Sequence, residues 1–228
     1  DKLEALNNEL GGGHLVVPCD VADAEACAAF VKQTHNHFGA FDTLVCNAGY
    51  GLMRTIVETT PAEWQEIMAT NVYGTTNCIR AAVPLMLAQE LRDHWRGQIM
   101  IVSSCLARRS GPDAGAYSAT KAAQLSIAEA LRLEVADNNI AVTSVHPIGT
   151  LSDFFDQAEV RSGRKSRRSA GEPTQTPEQV AIRMVRGIEQ PCVEVWPYAM
   201  SRWVFGAATL FPKLTDGMVK RRWERGVL

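Results

Sequence analysis

Residues 98–121 read QIMIVSSCLARRSGPDAGAYSATK. Gln98–Ser103 (QIMIVS) is apolar and rich in β-branched side chains, which predicts a buried strand. It ends on small polar residues, Ser103 and Ser104. A Gly/Pro/Asp loop follows, and then an Ala-rich pattern over Ala114–Ala136 that predicts a long helix. A strand handing over to a helix is the repeating unit of an α/β sheet, and the rest of the chain repeats it. Predicted strands lie at His14–Cys19 (HLVVPC), Thr43–Cys46 (TLVC), Ile140–His146 (IAVTSVH) and Cys192–Trp196 (CVEVW). Predicted helices cover Asp1–Leu10, stopped by Gly11-Gly12-Gly13, and Ala24–His37, with Asp23 as cap and Gly39 as stop. Another begins at Thr60-Pro61-Ala62-Glu63 and runs to about Leu91, with a kink expected at Pro84. A further helix opens at Thr176-Pro177-Glu178. The alternation predicts an α/β fold with a mainly parallel sheet.

Composition narrows the function classes. With 228 residues, 46% of them hydrophobic, the chain can bury a sizeable core as a single domain spanning residues 1–228. Its 23 basic residues face 25 acidic ones, so there is no electrostatic footprint for nucleic acid. The apolar stretch Trp203–Phe211 is far too short for a membrane span, which needs about 18–20 residues. Six cysteines without a CxxC pair read as reduced core residues, and with no signal-peptide pattern this implies a cytoplasmic protein.

Ligands of parallel α/β sheets bind at the carboxyl ends of the strands. In this chain those ends are Asp20, Asn47-Ala48-Gly49, Ser103-Ser104 and Pro147, a layout that serves a cofactor cleft or ordinary turns. Tyr117 and Lys121 stand four apart on one helix and so share a face. An ammonium beside a phenol favours the phenolate and makes it an acid–base group. Ser104, thirteen residues before Tyr117, lies at the end of the preceding strand, where its hydroxyl can join Tyr117 over one carbonyl.

On these residues the chain resembles the short-chain dehydrogenase/reductase family over nearly its whole length. Asp20-Val21 resembles the pair that contacts adenine, Asn47-Ala48-Gly49 the NAG motif, and Asn71 the helix asparagine of the catalytic tetrad. Ser104, Tyr117 and Lys121 complete that tetrad. The resemblance implies a Rossmann-type doubly wound parallel sheet and hydride transfer between NAD or NADP and a small carbonyl or alcohol substrate. Tyr117 would then be general acid or base, Ser104 would stabilise the alkoxide, Lys121 would tune Tyr117 and bind ribose, and Asn71 would hold a relay water. Pro147, Gly149 and Thr150 would meet the nicotinamide amide; the family's Pro-Gly is one residue longer here. The segment Leu151–Pro173 would be a substrate lid, with Phe154 and Phe155 as its apolar wall, a basic cluster at Arg161, Arg164, Lys165, Arg167 and Arg168, and few buried contacts. The family's first two strands and its glycine-rich phosphate loop have no counterpart in these residues. That implies an N-terminal truncation and an empty slot beside Thr43–Cys46, and it leaves the choice between NAD and NADP open. Two rival readings remain: a non-catalytic binding or scaffold relative, and a sugar-nucleotide epimerase or dehydratase, which shares YxxxK. The family often pairs the helices Ala114–Ala136 and Thr60–Leu91 with their copies, and the small residues along Ala114–Ala136 permit a close approach, so the resemblance implies a homodimer or homotetramer through a four-helix contact.

Overall fold

The computed structural model describes residues 2–92, 94–165 and 173–224. Four strands, Thr43–Cys46 (β1), Gly97–Val102 (β2), Ile140–Val145 (β3) and Glu194–Val195 (β4), form one parallel sheet in that spatial order among the described residues. The helices in chain order are Lys2–Glu9 (α1), Ala24–Phe38 (α2), Pro61–Met68 (α3), Gly74–Ala88 (α4), Gly115–Glu134 (α5), Phe154–Ser162 (α6), Pro177–Glu189 (α7), Ala199–Leu210 (α8) and Pro212–Glu224 (α9).

Both faces of the sheet are covered, and the two-residue period of the strands shows how. Ile99 and Ile101 of β2 and Ile140 and Val142 of β3 point to one side, where Cys27, Ala82, Met86, Ala128 and Leu131 of α2, α4 and α5 meet them. Met100, Val102 and Val145 point to the other side and pack against Met184 and Ile188 of α7. Gln98 shares that second face, and its amide donates to the Gly187 carbonyl at 2.7 Å, so this buried polar group is satisfied. A parallel sheet with helices on both faces is the Rossmann-type arrangement expected from the sequence.

Three elements differ from expectation. His14–Cys19 is not a strand: it joins no ladder among the described residues, and Leu15, Val16 and Val17 are only half-buried. An apolar run becomes a strand only where its backbone finds an edge to pair with. This stretch is instead drawn to the helices. Cys19 Sγ lies 4.0 Å from Cys27 Sγ of α2, and the Val21 carbonyl accepts from Asn77 of α4 at 3.0 Å. The outer edge of β1 therefore borders an open groove of about 530 Å³ between α2 and α4. Second, the single helix expected over Thr60–Leu91 is interrupted before Pro84, by a π-helical turn at Ala69–Tyr73, and it ends at Ala88. Pro84 sits inside α4 without ending it. Third, the strand expected over Cys192–Trp196 contracts to Glu194–Val195, and the chain continues into α8 and α9, which the strand–helix pattern did not foretell.

Caps fall where the residues dictate. Asp23 accepts from Glu25 and Ala26, Gly39 ends α2 at φ 72°, and Thr60 forms a reciprocal capping box with Glu63. No helix among the described residues is long and apolar enough to cross a membrane.

Gly74 is where α4 and the turn after residue 19 approach most closely. A Cβ at Gly74 would stand 2.5 Å from Cγ2 and 2.9 Å from Cβ of Val21. Gly74→Ala should therefore destabilise the protein by about 1–3 kcal/mol through overpacking, despite the better helix propensity of alanine. Urea denaturation checks this, with unchanged stability as the contrary result.

Candidate active site

The carboxyl ends of β2 and β3 and the first turns of α5 meet around one buried ammonium. Lys121 is only 4% exposed. Its Nζ donates to the Val102 carbonyl at the end of β2 and to Gln124 Oε1, both at 2.8 Å, and no carboxylate is paired with it among the described residues. Burial lowers its pKa from 10.5 to about 7.

Gln124 carries this contact to Asn71. The Gln124 amide nitrogen donates to the Asn71 carbonyl and to Thr75 Oγ1, both at 2.8 Å. The Asn71 carbonyl, which also accepts from the Thr75 hydroxyl at 2.9 Å, lies in the π-helical turn Ala69–Tyr73. The Asn71 side chain is fully engaged elsewhere. Its Oδ1 accepts from the Tyr50 N–H, and its Nδ2 donates to the Tyr50 carbonyl and to Thr120 Oγ1, each at 3.0 Å. Asn71 thus clamps the chain just after Gly49. A Cβ on Gly49 would meet Asn71 Oδ1 at 3.0 Å and Lys121 Nζ at 3.7 Å, so this position is closed to larger residues.

Tyr117 lies one turn before Lys121, with Nζ 5.7 Å from its ring centroid. Burial pushes its phenol above the ordinary value, and the neighbouring Ser104 hydroxyl acts in the opposite direction. Ser104 caps the 3₁₀ turn Cys105–Ala107, its Oγ accepting from the Leu106 N–H at 3.1 Å. Its backbone is braced from β3. His146 is buried, stacks on Trp196 at 4.5 Å, and places Nδ1 3.2 Å from the Ser104 carbonyl oxygen. A carbonyl only accepts, so Nδ1 carries the proton, and Nε2 accepts from the Ser144 hydroxyl at 3.0 Å. Burial lowers the His146 pKa, which keeps the ring neutral. Cys105, next to Ser104, is buried with its thiol pushed up to about 11, consistent with packing rather than nucleophilic use.

Over the phenol lies α6. Phe154 meets Tyr117 edge-on at 5.5 Å, and Phe155 meets Phe154 at the same distance. The expectation of few buried contacts in Leu151–Pro173 is corrected for residues 154–162. Ala158 and Ser162 are buried, and Ser162 Oγ accepts from the Met53 N–H at 2.8 Å. Small side chains on one face of α6 let it dock on the strand-end loop. Arg161 lies 4.1 Å from the Tyr50 ring centroid, and Arg164 pairs with Glu58. Residues 166–172, which include Arg167 and Arg168 of the expected basic cluster, lie outside the described residues.

The remaining expected positions divide into two groups. Val21, Asn47 and Ala48 line the groove beside β1, together with Gly74 and Thr75. Asp20 uses its carboxylate locally, accepting from the Ala22 N–H at 2.9 Å. The Pro147 carbonyl accepts from the Cys105 N–H at 3.0 Å and so ties the end of β3 to that of β2. Gly149 and Thr150 pair with Gln175, and the Thr150 hydroxyl donates to the Ile148 carbonyl at 3.0 Å. Asn71, Ser104, Tyr117 and Lys121 are therefore brought together, while Thr150 is committed to its own loop. Gln124 and His146 are the members of the cluster that the motifs did not assign. The signal for Gln124 was its helical spacing from Lys121, and for His146 its place at a strand end.

A family model described as short chain dehydrogenase matches residues 1–162. The 3-oxoacyl-[acyl-carrier-protein] reductase FabG of Staphylococcus aureus is 32% identical over 159 residues, covering 68% of this chain and 63% of that protein. The glycine betaine reductase ATRR of Emericella nidulans is 31% identical over 195 residues, 84% of this chain but 15% of that protein. The chain thus spans less than two thirds of either relative. Among solved structures, a 3-ketoacyl-ACP reductase from Sinorhizobium meliloti superimposes with TM-score 0.69 at 28% identity, over 85% of this chain and 82% of that one. A short chain dehydrogenase from Burkholderia cenocepacia, solved in complex with NADP, superimposes with TM-score 0.73 at 23% identity, over 90% and 80% of the two chains, a likeness of fold.

The buried Lys121 has a consequence for stability. In the unfolded chain it titrates near 10.5 and in the folded protein near 7, so between these values the unfolded chain binds the extra proton. Stability from this group is then fully present above 10.5 and is lost as pH falls toward 7. Lys121→Met should remove that part of the rise in stability between pH 7 and 10, read by urea denaturation across the range. An unchanged slope would show that Lys121 is protonated in the fold throughout.

Proposed function

The chain belongs to the short chain dehydrogenase family, and from that premise we propose that it is an oxidoreductase acting on a small carbonyl or alcohol substrate with NAD or NADP. The observation that carries this reading is the meeting of the Tyr117 phenol, the Ser104 hydroxyl and the Lys121 ammonium at the carboxyl ends of parallel strands. Two of the similar proteins bear names of ketoacyl reductases, which favours a ketone as substrate.

The residues present fit the nicotinamide–ribose end of such a cofactor. Gly49 leaves the side of Lys121 Nζ without a covering side chain, and Val21, Asn47, Ala48 and Gly74 line one continuous groove beside β1. When bound, the nicotinamide supplies or takes the hydride. Everything else is done by this chain. Lys121 Nζ, an ammonium donor, would hold ribose hydroxyls. Val21, Asn47, Ala48 and Gly49 would lie along the cofactor, with Asp20 beside them. Pro147, Gly149 and Thr150 would meet the nicotinamide amide from the end of β3.

In the reductive direction the Tyr117 phenol gives its proton to the carbonyl oxygen, and Ser104 Oγ donates a hydrogen bond to the alkoxide that forms. The raised phenol pKa keeps that proton in place at neutral pH, which suits the acid role. A protonated Lys121, 5.7 Å from the ring, stabilises the phenolate left behind. Lys121 would return a proton to the phenolate, and a water held at Asn71 would link the Lys121 amine to solvent. Phe154 and the lid around it exclude water from the reacting centre.

Six free thiols suit a reducing compartment, the cytoplasm. The small residues of α5, with α3 and α4 beside it, would pair with a second copy as a homodimer or within a homotetramer.

Tyr117→Phe keeps the ring against Phe154 and removes only the proton donor. Turnover of a ketone, followed by nicotinamide absorbance in the whole protein, should fall by about 10²–10⁴-fold. Turnover within a factor of a few of the parent would overturn the assignment.

A further inference from the structure

The helices α8 and α9 touch the rest of the protein along a narrow strip, with Ser201 and Thr215 buried and Phe205, Ala208 and Val219 half-buried. On α8, Thr209 Oγ1 donates to the Arg108 carbonyl at 3.2 Å. On α9, Asp216 pairs with Arg109, and Trp223 Nε1 donates to Asp113 at 3.4 Å. Most of the large apolar side chains face solvent. Met200, Trp203, Val204 and Leu210 recur at helical spacing along α8, with Trp203 73% and Leu210 76% exposed. Phe211 continues the stripe across the junction, and Leu214 and Met218 extend it along α9. A water-soluble surface does not ordinarily present this many large apolar groups in one continuous row.

The stripe is flanked by one sign of charge. Lys213, Arg221 and Arg222 are exposed on α9. The acids of these helices are spoken for, Asp216 by Arg109 and Glu224 by Lys220. At 12 and 13 residues, α8 and α9 are about 18–20 Å long, short of the ~30 Å a hydrocarbon core requires. A convex apolar row with an exposed tryptophan and basic flanks, too short to span, matches helices that lie in the plane of a bilayer interface.

We propose that α8 and α9 form a peripheral docking surface for an anionic lipid bilayer. Met200, Trp203, Val204, Leu210 and Phe211 enter the headgroup–acyl boundary, and Lys213, Arg221 and Arg222 meet acidic headgroups. The surface roots in residues 105–113, between Ser104 and Tyr117, so docking places the bilayer next to the chain segment that carries the site. This surface is independent of the activity proposed above.

Co-sedimentation of the protein with phosphatidylcholine vesicles, with and without phosphatidylglycerol, tests it. Binding is expected to the anionic vesicles and to be weak on phosphatidylcholine alone. Each basic contact is worth about fivefold in partition, so the double variant Arg221→Glu/Arg222→Glu should lose at least about 25-fold. Trp203→Glu/Leu210→Glu should abolish binding, while Trp203→Phe retains it. All of these positions are solvent-facing, and far-UV circular dichroism verifies that the variants fold. No sedimentation with anionic vesicles, equal binding to neutral ones, or binding untouched by Trp203→Glu/Leu210→Glu would overturn the proposal. So would self-association by analytical ultracentrifugation that this variant abolishes without any vesicle binding, which would assign the stripe to a second copy of the chain.

Discussion

The site depends on one unfavourable burial, the Lys121 ammonium held by neutral oxygens alone. Removing such a charge from water is costly, and in most proteins a carboxylate offsets it. Here the compensation comes from a strand-end carbonyl, Val102, and an amide oxygen, Gln124. Both acceptors must be fixed to be of use. Val102 is fixed because β2 is paired on both sides, to β1 and to β3. Gln124 is fixed because its other end bonds Asn71 and Thr75. The central strand, the long helix and the interrupted helix are thus tied together through one nitrogen. The low lysine pKa records how incomplete the compensation is.

That arrangement includes the π-helical turn. The Asn71 carbonyl in it accepts from Gln124 and from the Thr75 hydroxyl, and the Asn71 side chain binds the backbone of Tyr50. Gly49, just before, must then be a glycine for steric rather than conformational reasons, since the space its Cβ would need is taken by Asn71 and approached by Lys121. Across the site, His146 performs the equivalent service for Ser104, with its proton located on Nδ1 by the carbonyl it faces. Ser104 and Lys121 are positioned by neighbours whose own hydrogen bonds are satisfied.

What could be read from sequence was whatever local pattern decides. Thr43–Cys46 is the strand its apolar run foretold, Gln98–Ser103 and Ile140–His146 are right to within a residue, and the caps at Asp23 and Thr60 are as written. Ser104, Tyr117 and Lys121 were singled out by their spacing, and Asn71 by the family resemblance alone. His14–Cys19 was misread because an apolar run does not say whether a partner edge exists, and here its last residue, Cys19, packs on Cys27 of α2. The π-helical turn was invisible because inserting one residue into a helix leaves no compositional mark. Pro84, the conspicuous breaker, was absorbed inside α4. Gln124 looked like any polar residue of an Ala-rich helix until its distance to Lys121 was known.

The outward apolar stripe of α8 and α9 and the geometry between Ser104 and Tyr117 have a common origin. The segment 105–113 is a loop with little apolar content, so it must be held by polar contacts. Arg108 reaches Glu194 and Glu129, its carbonyl accepts from Thr209, Arg109 reaches Asp216, and Asp113 accepts from Trp223. Asp113 also sits at φ 59°, a left-handed conformation that a non-glycine residue adopts at some cost and that the Trp223 contact helps to hold. Contacts that hold this loop therefore come from the same two helices whose Trp203 and Leu210 stay exposed, so the exposed apolar row and the stretch from Ser104 to Tyr117 are joined through Arg108, Arg109 and Asp113.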